Sequence, residues 1–383
     1  MNESAKLRVT SLFAGIGGMD LGMARAGAQT TLLVENWRPA LDVLEARFSD
    51  VRIHEDVRDL PRLPPADLVT AGFPCTDLSQ AGRTVGINGG ASGLIFKALE
   101  LVEGSRPPHV LIENVPNMLH LRAGAAITAV TERLTALGYE WAYRVIDSCS
   151  FGVPQRRRRV FLFASRDVDP AGVLLQGDHE PPPPVANAYG FYWTEGNRGL
   201  GWAVDALPTL KGSSTVNVPS PPAVWRPSAP LGTRIVRPSI RSTERAQGLP
   251  PGWTRTAPER TRWRLVGNAV TPAVVQWIVD RVIEPRAAAI DGLDLIPLRQ
   301  GDRWPVAAFS RSGKVWRANI GENPVRRPRR HLSDLLDLHG FEPLSLRATA
   351  GFLARLEGSS LRVDPAFVED LRSHVQVLRV KGT

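Results

Sequence analysis

The strongest constraint on the fold is an alternation of short apolar runs with amphipathic stretches over the first 165 residues of the 383-residue chain. Five apolar runs are typical of buried strands: residues 7–13, 30–34, 68–71, 110–112 and 160–163. The segments between them, such as 38–48, 94–103 and 127–137, space their apolar residues as helices do. This pattern predicts an α/β fold with a doubly wound, mostly parallel sheet.

The remainder of the chain divides into three further segments. Residues 168–236 are rich in Gly, Pro, Ser and Trp without clear periodicity, which predicts a small loop-rich domain. Within residues 237–285, a helix at 272–283 opens with proline, and we expect it to pack on the first domain, residues 1–167. Residues 286–383 are basic with helical apolar spacing near the end, which predicts a folded C-terminal extension.

Composition favours a polyanionic partner. The formal net charge is +9 and the isoelectric point is about 10.2, and each phosphate that a basic protein neutralises releases counterions. The arginine excess also fits a GC-rich genome. Two cysteines exclude a disulfide framework. Since no apolar run is long enough for a membrane helix and no signal peptide opens the chain, we expect a cytoplasmic protein without membrane association.

A glycine-rich segment between the first strand and the following helix predicts a ligand loop. Its sequence is Phe13-Ala14-Gly15-Ile16-Gly17-Gly18. Glycines let the backbone approach a ligand and present amides at a helix N-terminus. The next two strands end near Glu35 and Asp56, which suit a ribose diol and an adenine edge. Together they predict an adenosine site, although the loop alone also fits a tight turn or a dinucleotide site.

Candidate chemistry follows two other strands. Cys75 lies in a polar loop after the strand at 68–71, where reactive thiols occur, although a buried inert thiol is the commoner case. Glu113 closes the strand at 110–112, as a catalytic group or as a cap. Residues 80–93 are rich in Gly and Ser and fit either a mobile lid or a plain surface loop.

An arginine run leads into the strand at 160–163. In an extended conformation, Gln155, Arg157 and Arg159 face one way, whereas Arg156 and Arg158 face the other. One face fits a site, and a solvated basic patch is the alternative. Further along, the segment at 267–270 fits either a turn or a close backbone approach to a ligand.

Six motifs, in this order and spacing, resemble those of the DNA cytosine-5 methyltransferases. They are residues 13–18, 74–79, 113–115, 155–159, 241–250 and 267–270. The resemblance covers about residues 7–283 and leaves the last hundred without a motif. It implies a Rossmann-like domain that uses S-adenosyl-L-methionine, releases S-adenosyl-L-homocysteine and needs no metal, with a target-recognition domain at 168–236.

The same resemblance implies roles for individual residues. Cys75 would attack C6 of a flipped-out cytosine, Glu113 would hold or protonate N3, and Arg159 with Arg157 would stabilise charge on the O2 side. The implied cofactor-binding residues are Phe13, Ala14, Gly15, Ile16, Gly17, Glu35, Asn36, Asp56, Val57, Pro74, Leu94 and Asn268. The implied DNA-binding residues are Ser79, Gln80, Arg83, Gln155, Lys211, Arg226 and Arg241.

The chain departs from the family pattern at three positions. Asn36 and Trp37 replace a hydrophobic residue and an acid after Glu35, so Trp37 is a candidate to stack on the adenine. Lys97 stands where an acidic residue is common, which affects local ion pairing and not the chemistry.

The resemblance also implies partners. We expect a nucleoid-associated monomer that modifies duplex DNA, with a restriction endonuclease as a functional partner only. A transfer RNA cytosine-5 methyltransferase and a non-catalytic DNA-binding relative are the alternatives. The lobe at 168–236 favours duplex DNA, and the presence of Cys75, Glu113 and Arg159 favours catalysis.

Overall fold

The computed structural model describes residues 6–73, 93–181, 183–197, 199–212, 222–285, 295–299 and 301–381. The chain forms two compact units. The first contains the residues up to Asp147 together with Arg158–Glu180 and Thr271–Val325, and the second contains Ser148–Arg157, Pro181–Val270 and Arg326–Thr383. Among the described helices, none has the length and apolar character that a membrane crossing requires.

Strands and helices are numbered along the described chain. The strands are β1 (Arg8–Leu12), β2 (Gln29–Val34), β3 (Arg52–His54), β4 (Leu68–Ala71), β5 (His109–Asn114), β6 (Glu140–Asp147), β7 (Arg158–Ser165), β8 (Tyr189–Phe191), β9 (Ala203–Val204), β10 (Ala223–Trp225), β11 (Ile235–Pro238), β12 (Leu295–Pro297), β13 (Ala307–Arg311), β14 (Lys314–Ala318) and β15 (Phe341–Pro343). The helices are α1 (Gly18–Arg25), α2 (Arg38–Arg47), α3 (Gly93–Ser105), α4 (Ala125–Ala136), α5 (Pro170–Leu174), α6 (Ile240–Ala246), α7 (Glu259–Asn268), α8 (Pro272–Ile283), α9 (Leu332–His339), α10 (Leu346–Glu357) and α11 (Pro365–Lys381).

The first unit is built on one mixed sheet with the strand order β12-β14-β13-β6-β7-β5-β4-β1-β2-β3. The strands from β3 to β5 pair in parallel, whereas β7, β6 and the strands beyond them pair antiparallel. The predicted α/β fold is confirmed. The order of the parallel strands reverses beside β1 and β4, and an open sheet of this kind presents ligands at the carboxyl ends of its strands there.

Local sequence explains why this sheet is enclosed. Every residue of β4 and β5 is buried, as expected for strands that are covered on both faces. Helix α8 packs against α1, as we expected, and Gly22 permits the close approach because a Cβ there would overlap the carbonyl of Pro272. Helix α1, which follows the glycine loop, is therefore fixed in position by its packing against α8.

Part of the predicted C-terminal extension belongs to the first unit. Strand β13 pairs with β6, which has no counterpart among the predicted strands. Just before β13, the indole of Trp304 lies over Gly124, where a Cβ would overlap it, and its Nε1 donates to Thr128 Oγ1 at 3.1 Å. Tyr143 Oη donates to the carbonyl of Pro305 at 2.8 Å. This stretch therefore lengthens the sheet of the first unit.

The second unit combines the loop-rich region with the end of the chain. Its sheet has the order β15-β11-β10-β8-β9, and β15 comes from the C-terminal region. Phe191 on β8 packs on Phe352 and Phe367 from α10 and α11, with ring centroids 5.1 and 5.0 Å away. Trp225 Nε1 donates to Asp370 Oδ2 at 2.8 Å. These helices complete the apolar core of the second unit, which therefore contains residues from both the loop-rich region and the C-terminal region.

Candidate functional site

The glycine loop leaves β1 in a left-handed backbone conformation. Phe13, Gly15 and Gly17 have φ angles of 57°, 58° and 74°. A Cβ at Gly15 would meet nothing within 4 Å, whereas one at Gly17 would overlap the ring of Phe48. Gly17 is thus required for packing, while Gly15 leaves open space beside the backbone at the start of α1. The loop has the features of an anion or nucleotide cradle.

Glu35, directly after β2, ties this loop to the next strand. Its carboxylate accepts hydrogen bonds from the backbone N–H groups of Gly15 at 2.8 Å, Asn36 at 3.0 Å and Trp37 at 2.8 Å. Burial raises the pKa of Glu35, and these three hydrogen bonds oppose the rise. The carboxylate and the loop therefore form one structural element, and Trp37 is half-buried beside it.

Asp56, after β3, has a different environment. Its Oδ2 lies 2.5 Å from Arg58 Nη2, and its Oδ1 accepts from the Arg58 backbone N–H at 2.9 Å. The hydrogen bonds from Arg58 hold the pKa of Asp56 below its usual value. Arg58 Nε also lies 3.0 Å from both carboxylate oxygens, so Arg58 occupies most of the about four lone-pair sites of Asp56, and an adenine amine would compete with Arg58 for them. Val57 is buried, and Leu94 at the start of α3 packs against the core.

A buried polar network, which none of the sequence motifs indicated, lies behind the glycine loop. Asp20 on α1 is fully buried and accepts from Ser11 Oγ at 3.2 Å and Thr30 Oγ1 at 3.0 Å. Thr70 Oγ1 on β4 donates to Ser11 Oγ at 3.1 Å. Burial raises the pKa of Asp20 to about 6. A carboxylate two residues into a glycine-led helix was the available signal.

Glu113 and Arg159 form an ion pair at the carboxyl end of β5. Arg159 Nε lies 3.1 Å from Glu113 Oε1, and the side chains are only 13% and 10% exposed. A Cβ placed on Gly72 would be 3.7 Å from Glu113 Oε2 and 3.9 Å from the carbonyl of Phe13. The end of β4 therefore lies between the glycine loop and this carboxylate. In a partly dry setting, such a pair is well suited to bind a polar ring and to stabilise developing charge.

The nucleophile prediction falls on residues that the structure does not describe. Pro74, Cys75, Ser79, Gln80 and Arg83 lie outside the described residues, as do residues 80–92 of the predicted lid segment. The last described residue before them is buried Phe73, whose carbonyl accepts from Asn114 Nδ2 at 3.1 Å. The other cysteine, Cys149, is buried and forms no disulfide with a described residue, which fits an inert thiol.

The arginine run has the predicted alternation. Gln155 and Arg157 are buried, Arg156 and Arg158 are exposed, and Arg159 is intermediate. Extended backbone thus sends neighbouring side chains to opposite faces.

Within the second unit, the side chains of Gln155 and Arg157 form hydrogen bonds with backbone groups of other segments. Gln155 Nε2 donates to the carbonyl of Ala246 at 3.1 Å, and its Oε1 accepts from the backbone N–H of Leu210 at 3.2 Å. Arg157 Nη1 donates to the carbonyls of Leu210 at 3.2 Å and Gly267 at 3.1 Å. Gln155 is fully enclosed, so it has no surface for the predicted DNA contact, and Arg157 in this placement binds peptide carbonyls.

Three further residues with a predicted DNA contact are described by the structure and belong to the second unit: Lys211, Arg226 and Arg241. Lys211 pairs with Glu195 and lies over the ring of Tyr192, and Arg226 pairs with Asp337 at 2.7 Å. Arg241 on α6 is exposed.

Two close approaches in the second unit surround the segment at 267–270. A Cβ on Gly212 would overlap the Asn268 side chain, and one on Gly267 would lie 2.6 Å from the Lys211 carbonyl oxygen. Of the two predicted roles for this segment, a close backbone approach is therefore present, with protein atoms as the neighbours.

Glu244, inside the motif at 241–250, is a second buried carboxylate without a predicted role. It is fully buried and accepts from the backbone N–H of Thr254 at 2.9 Å, from Thr254 Oγ1 at 2.5 Å and from Gly252 N. Arg262 Nη2 lies 3.2 Å away. The carboxylate organises the turn after α6, so the motif has an architectural role in this unit.

The sequence is similar to those of known DNA methyltransferases. Residues 7–182 match the family described as C-5 cytosine-specific DNA methylase. The chain is 43% identical to the Type II methyltransferase M2.BsuMI of Bacillus subtilis (strain 168) over 368 residues, which covers 91% of this chain and 93% of that protein. It is 32% identical to the Type II methyltransferase M.Bsp6I of Bacillus sp. (strain RFL6), over 43% of this chain and 53% of that protein.

A solved structure has the same fold. It is a chain from E. coli assigned as a DNA modification methyltransferase encoded within a prophage. The TM-score is 0.51 at 19% identity, and the match covers 73% of this chain and 99% of that one. The family match and the near full-length relative place the protein: it belongs to the C-5 cytosine-specific DNA methylases, of the bacterial restriction–modification type, and is a DNA cytosine-5 methyltransferase.

Proposed function

We propose that the protein transfers a methyl group from S-adenosyl-L-methionine to C5 of a flipped-out cytosine in a specific duplex DNA sequence. The observation that carries the proposal is the position of Gly72, which lies between the glycine loop and the Glu113 carboxylate. Because β1, β4 and β5 are parallel neighbours, their carboxyl ends meet at one edge, where a methyl donor and a base can be held side by side.

The residues of the glycine loop fit an adenosine-containing cofactor. Gly15 leaves open space beside the backbone, and α1 begins at Gly18 with its amides facing the loop. Glu35 would accept from a ribose diol and Asp56 from an adenine amine, with Trp37 as a stacking surface. When bound, S-adenosyl-L-methionine supplies an electrophilic methyl group and leaves as S-adenosyl-L-homocysteine.

On the cytosine, the chain's own residues make C5 reactive. The Cys75 thiolate adds to C6, the electron pair of the C5–C6 double bond forms a C4–C5 double bond, and the pair of the C4–N3 double bond moves onto N3, which Glu113 holds or protonates. Arg159 binds the O2 side and stabilises the charge that develops there. After C5 has formed its bond to the methyl group, a base removes the C5 proton and elimination expels the thiolate. Cys75 follows Phe73 by only two residues, which supports this role.

Base flipping and duplex recognition complete the proposal. A carbon inside a stacked duplex is out of reach, so the target base must leave the stack. We assign sequence recognition to residues 168–236 and closure over the base to residues 80–93. The Type II relatives support a role as the modification enzyme of a restriction system, acting as a monomer with a separate endonuclease as its functional partner.

Covalent trapping tests the mechanism. Duplex DNA carrying 5-fluorocytosine blocks loss of the C5 substituent, so we expect an adduct between DNA and protein that survives denaturing electrophoresis in the presence of S-adenosyl-L-methionine. Cys75→Ser should abolish the adduct, whereas Cys149→Ser, at the buried thiol, should retain it. No adduct with the unaltered protein, or an adduct that persists in Cys75→Ser, would refute the mechanism. A parallel reaction with transfer RNA decides between the two polymers.

A further inference from the structure

Four arginines in five residues open the C-terminal part of the second unit. They are Arg326, Arg327, Arg329 and Arg330. Arg326 and Arg330 are exposed, and the other two are half-buried. Within the described part of the chain, none of the four forms an ion pair with a carboxylate. Like charges held close together repel one another, so an unpaired cluster of this kind costs the folded state free energy.

The backbone of this arginine segment, residues 326–330, is held in place along its length. The backbone N–H of Arg327 donates to the carbonyl of Ser150 at 3.0 Å, and that of Arg330 donates to Gly152 at 3.1 Å. Gly152 has a φ of 85°, and a Cβ there would lie 2.5 Å from the carbonyl oxygen of Pro328. The backbone of the arginine segment therefore lies so close to residue 152 that only glycine fits there.

The residues that follow the arginine segment anchor its far end. His331 Nδ1 lies 2.8 Å from Asp205 Oδ2, and the backbone N–H of Leu332 donates to Asp205 Oδ1 at 2.8 Å. Asp205 is fully buried. Arg327 lies over the ring of Phe151, and Arg329 Nη2 donates to the carbonyl of Val204 at 3.4 Å. Arg326 and Arg330 are thus the two arginines displayed to solvent from an ordered backbone, which lowers the entropy cost of binding an extended ligand.

The positive field extends beyond the arginine segment to α6. The pKa of His339, at the end of α9, is lowered first by burial and then by the charges of Arg245, Arg241 and Arg330. The charges of these three arginines therefore act together on His339 and disfavour its protonated form. Arg241 is exposed, and the family resemblance implied a DNA contact for it.

We propose that the arginine segment and Arg241 form a binding surface for the phosphodiester backbone of duplex DNA. A guanidinium donates two parallel hydrogen bonds to a phosphate, and an ordered row of them matches a regularly charged strand. The contacts are independent of base sequence, so they add affinity and fix the orientation of the enzyme on DNA. The proposal rests on the proposed function, because duplex DNA must be the substrate.

The salt dependence of DNA binding tests this surface. We would measure the association constant of the full chain for a duplex of about 30 base pairs and random sequence, by fluorescence anisotropy at several KCl concentrations. A duplex of this length is longer than the stretch that a compact protein of this size contacts. Each phosphate contact contributes about 0.9 to the slope of log K against log salt, so Arg326→Ala with Arg330→Ala should lower the slope by about 2. Arg241→Ala should lower it by about 1.

Two controls separate this surface from general charge. Arg379→Ala removes an exposed arginine of α11 in the same unit and should leave the slope unchanged. Arg326→Lys with Arg330→Lys keeps the charges and should retain most of the slope. A slope equal to that of the unaltered protein in the alanine double variant, or an equal fall with Arg379→Ala, overturns the proposal.

Failure of the surface can be told apart from failure of the proposed function. Each variant is also tested for the 5-fluorocytosine adduct. A variant that forms the adduct and keeps the full salt slope counts against the surface alone. Absence of both adduct and salt-dependent binding in the unaltered protein counts against DNA as the substrate, and the surface falls with it.

Discussion

Arg157 and Arg159 lie two positions apart in one motif but belong to different units and have different roles. Arg159 in the first unit lies at the sheet edge, paired with the Glu113 carboxylate, and is 13% exposed. Arg157 in the second unit is 1% exposed and donates to the carbonyls of Leu210 and Gly267. Membership of a motif therefore does not by itself show whether a residue is catalytic or structural. The exposure of the side chain and the kind of group that it contacts distinguish the two roles.

The same contrast holds for the wider motifs. In the first unit, Gly15 and Glu113 come at strand ends and face an edge where a ligand can bind. In the second unit, Gln155 and Glu244 are fully buried and bonded to the protein's own backbone. A motif residue at a strand end is therefore a candidate for catalysis, whereas an enclosed one holds the scaffold.

The largest effect is expected from Glu113→Gln, which keeps the shape of the side chain and removes its charge and its proton-transfer capacity. We expect turnover to fall by about 10³-fold or more, because both base activation and the pairing with Arg159 are lost. Affinity for S-adenosyl-L-homocysteine should change little. Transfer of tritiated methyl groups and calorimetric titration check the two quantities. A collapse of cofactor binding would mean that Glu113 belongs to the cofactor site instead.

Next in size is Arg157→Lys. An ammonium group cannot reproduce the guanidinium fork, so at least one buried carbonyl would lose its partner, and we expect the free energy of unfolding to fall by about 3 kcal/mol. The matched variant is Arg159→Lys, which should cost less than about 1 kcal/mol of stability but most of the turnover. Chemical denaturation and methyl transfer are measured on both. A reversed outcome would break the division between the two arginines.

Asp20→Asn tests the buried network behind the glycine loop. The pKa of Asp20 is about 6 in the folded protein against 3.8 for an ordinary aspartate, because burial disfavours the charge. Below pH 3.8 both states hold the proton. As the pH rises to 6 the unfolded chain releases its proton first, so the stability contribution of Asp20 is lost over this window and stays lost above it.

The shift of 6 − 3.8 corresponds to at most about 3 kcal/mol, and we expect roughly half of this in solution. The amide side chain of the variant carries no charge at any pH in this range. The difference in stability between variant and unaltered protein should therefore grow in favour of the variant from about pH 4 to about pH 7. Thermal unfolding across this range measures it. A constant difference would show that Asp20 is not neutralised by folding at low pH.

The smallest effect concerns Asp56. Asp56→Asn should weaken binding of S-adenosyl-L-homocysteine by about 5-fold, near 1 kcal/mol, if the carboxylate contacts the adenine. Arg58→Ala is the matched control, since it breaks the ion pair and leaves the carboxylate in place. We expect Arg58→Ala to have little effect. Equal losses in the two variants would show that Asp56 acts through Arg58.

Much of the first unit was predictable because its signals are local. Predicted strands at 68–71 and 160–163 correspond to β4 and β7, since buried strands need continuous apolar runs. Strand β6 was missed, as it mixes Arg144 and Tyr143 with apolar residues. Those polar groups are satisfied by partners far along the chain, such as the carbonyl of Gly321, which accepts from Arg144 Nε at 2.7 Å.

The class of fold, the order of the motifs and the chemistry that they imply can be read from the amino-acid sequence, because periodicity and residue type are properties of short segments. That residues near 307 extend the first sheet, while those after 326 complete the second unit, is visible only in the folded chain. The tertiary structure also separated Arg157 from Arg159. Partners of this kind depend on which distant surfaces bury each other, and that is fixed by the free energy of the whole folded chain.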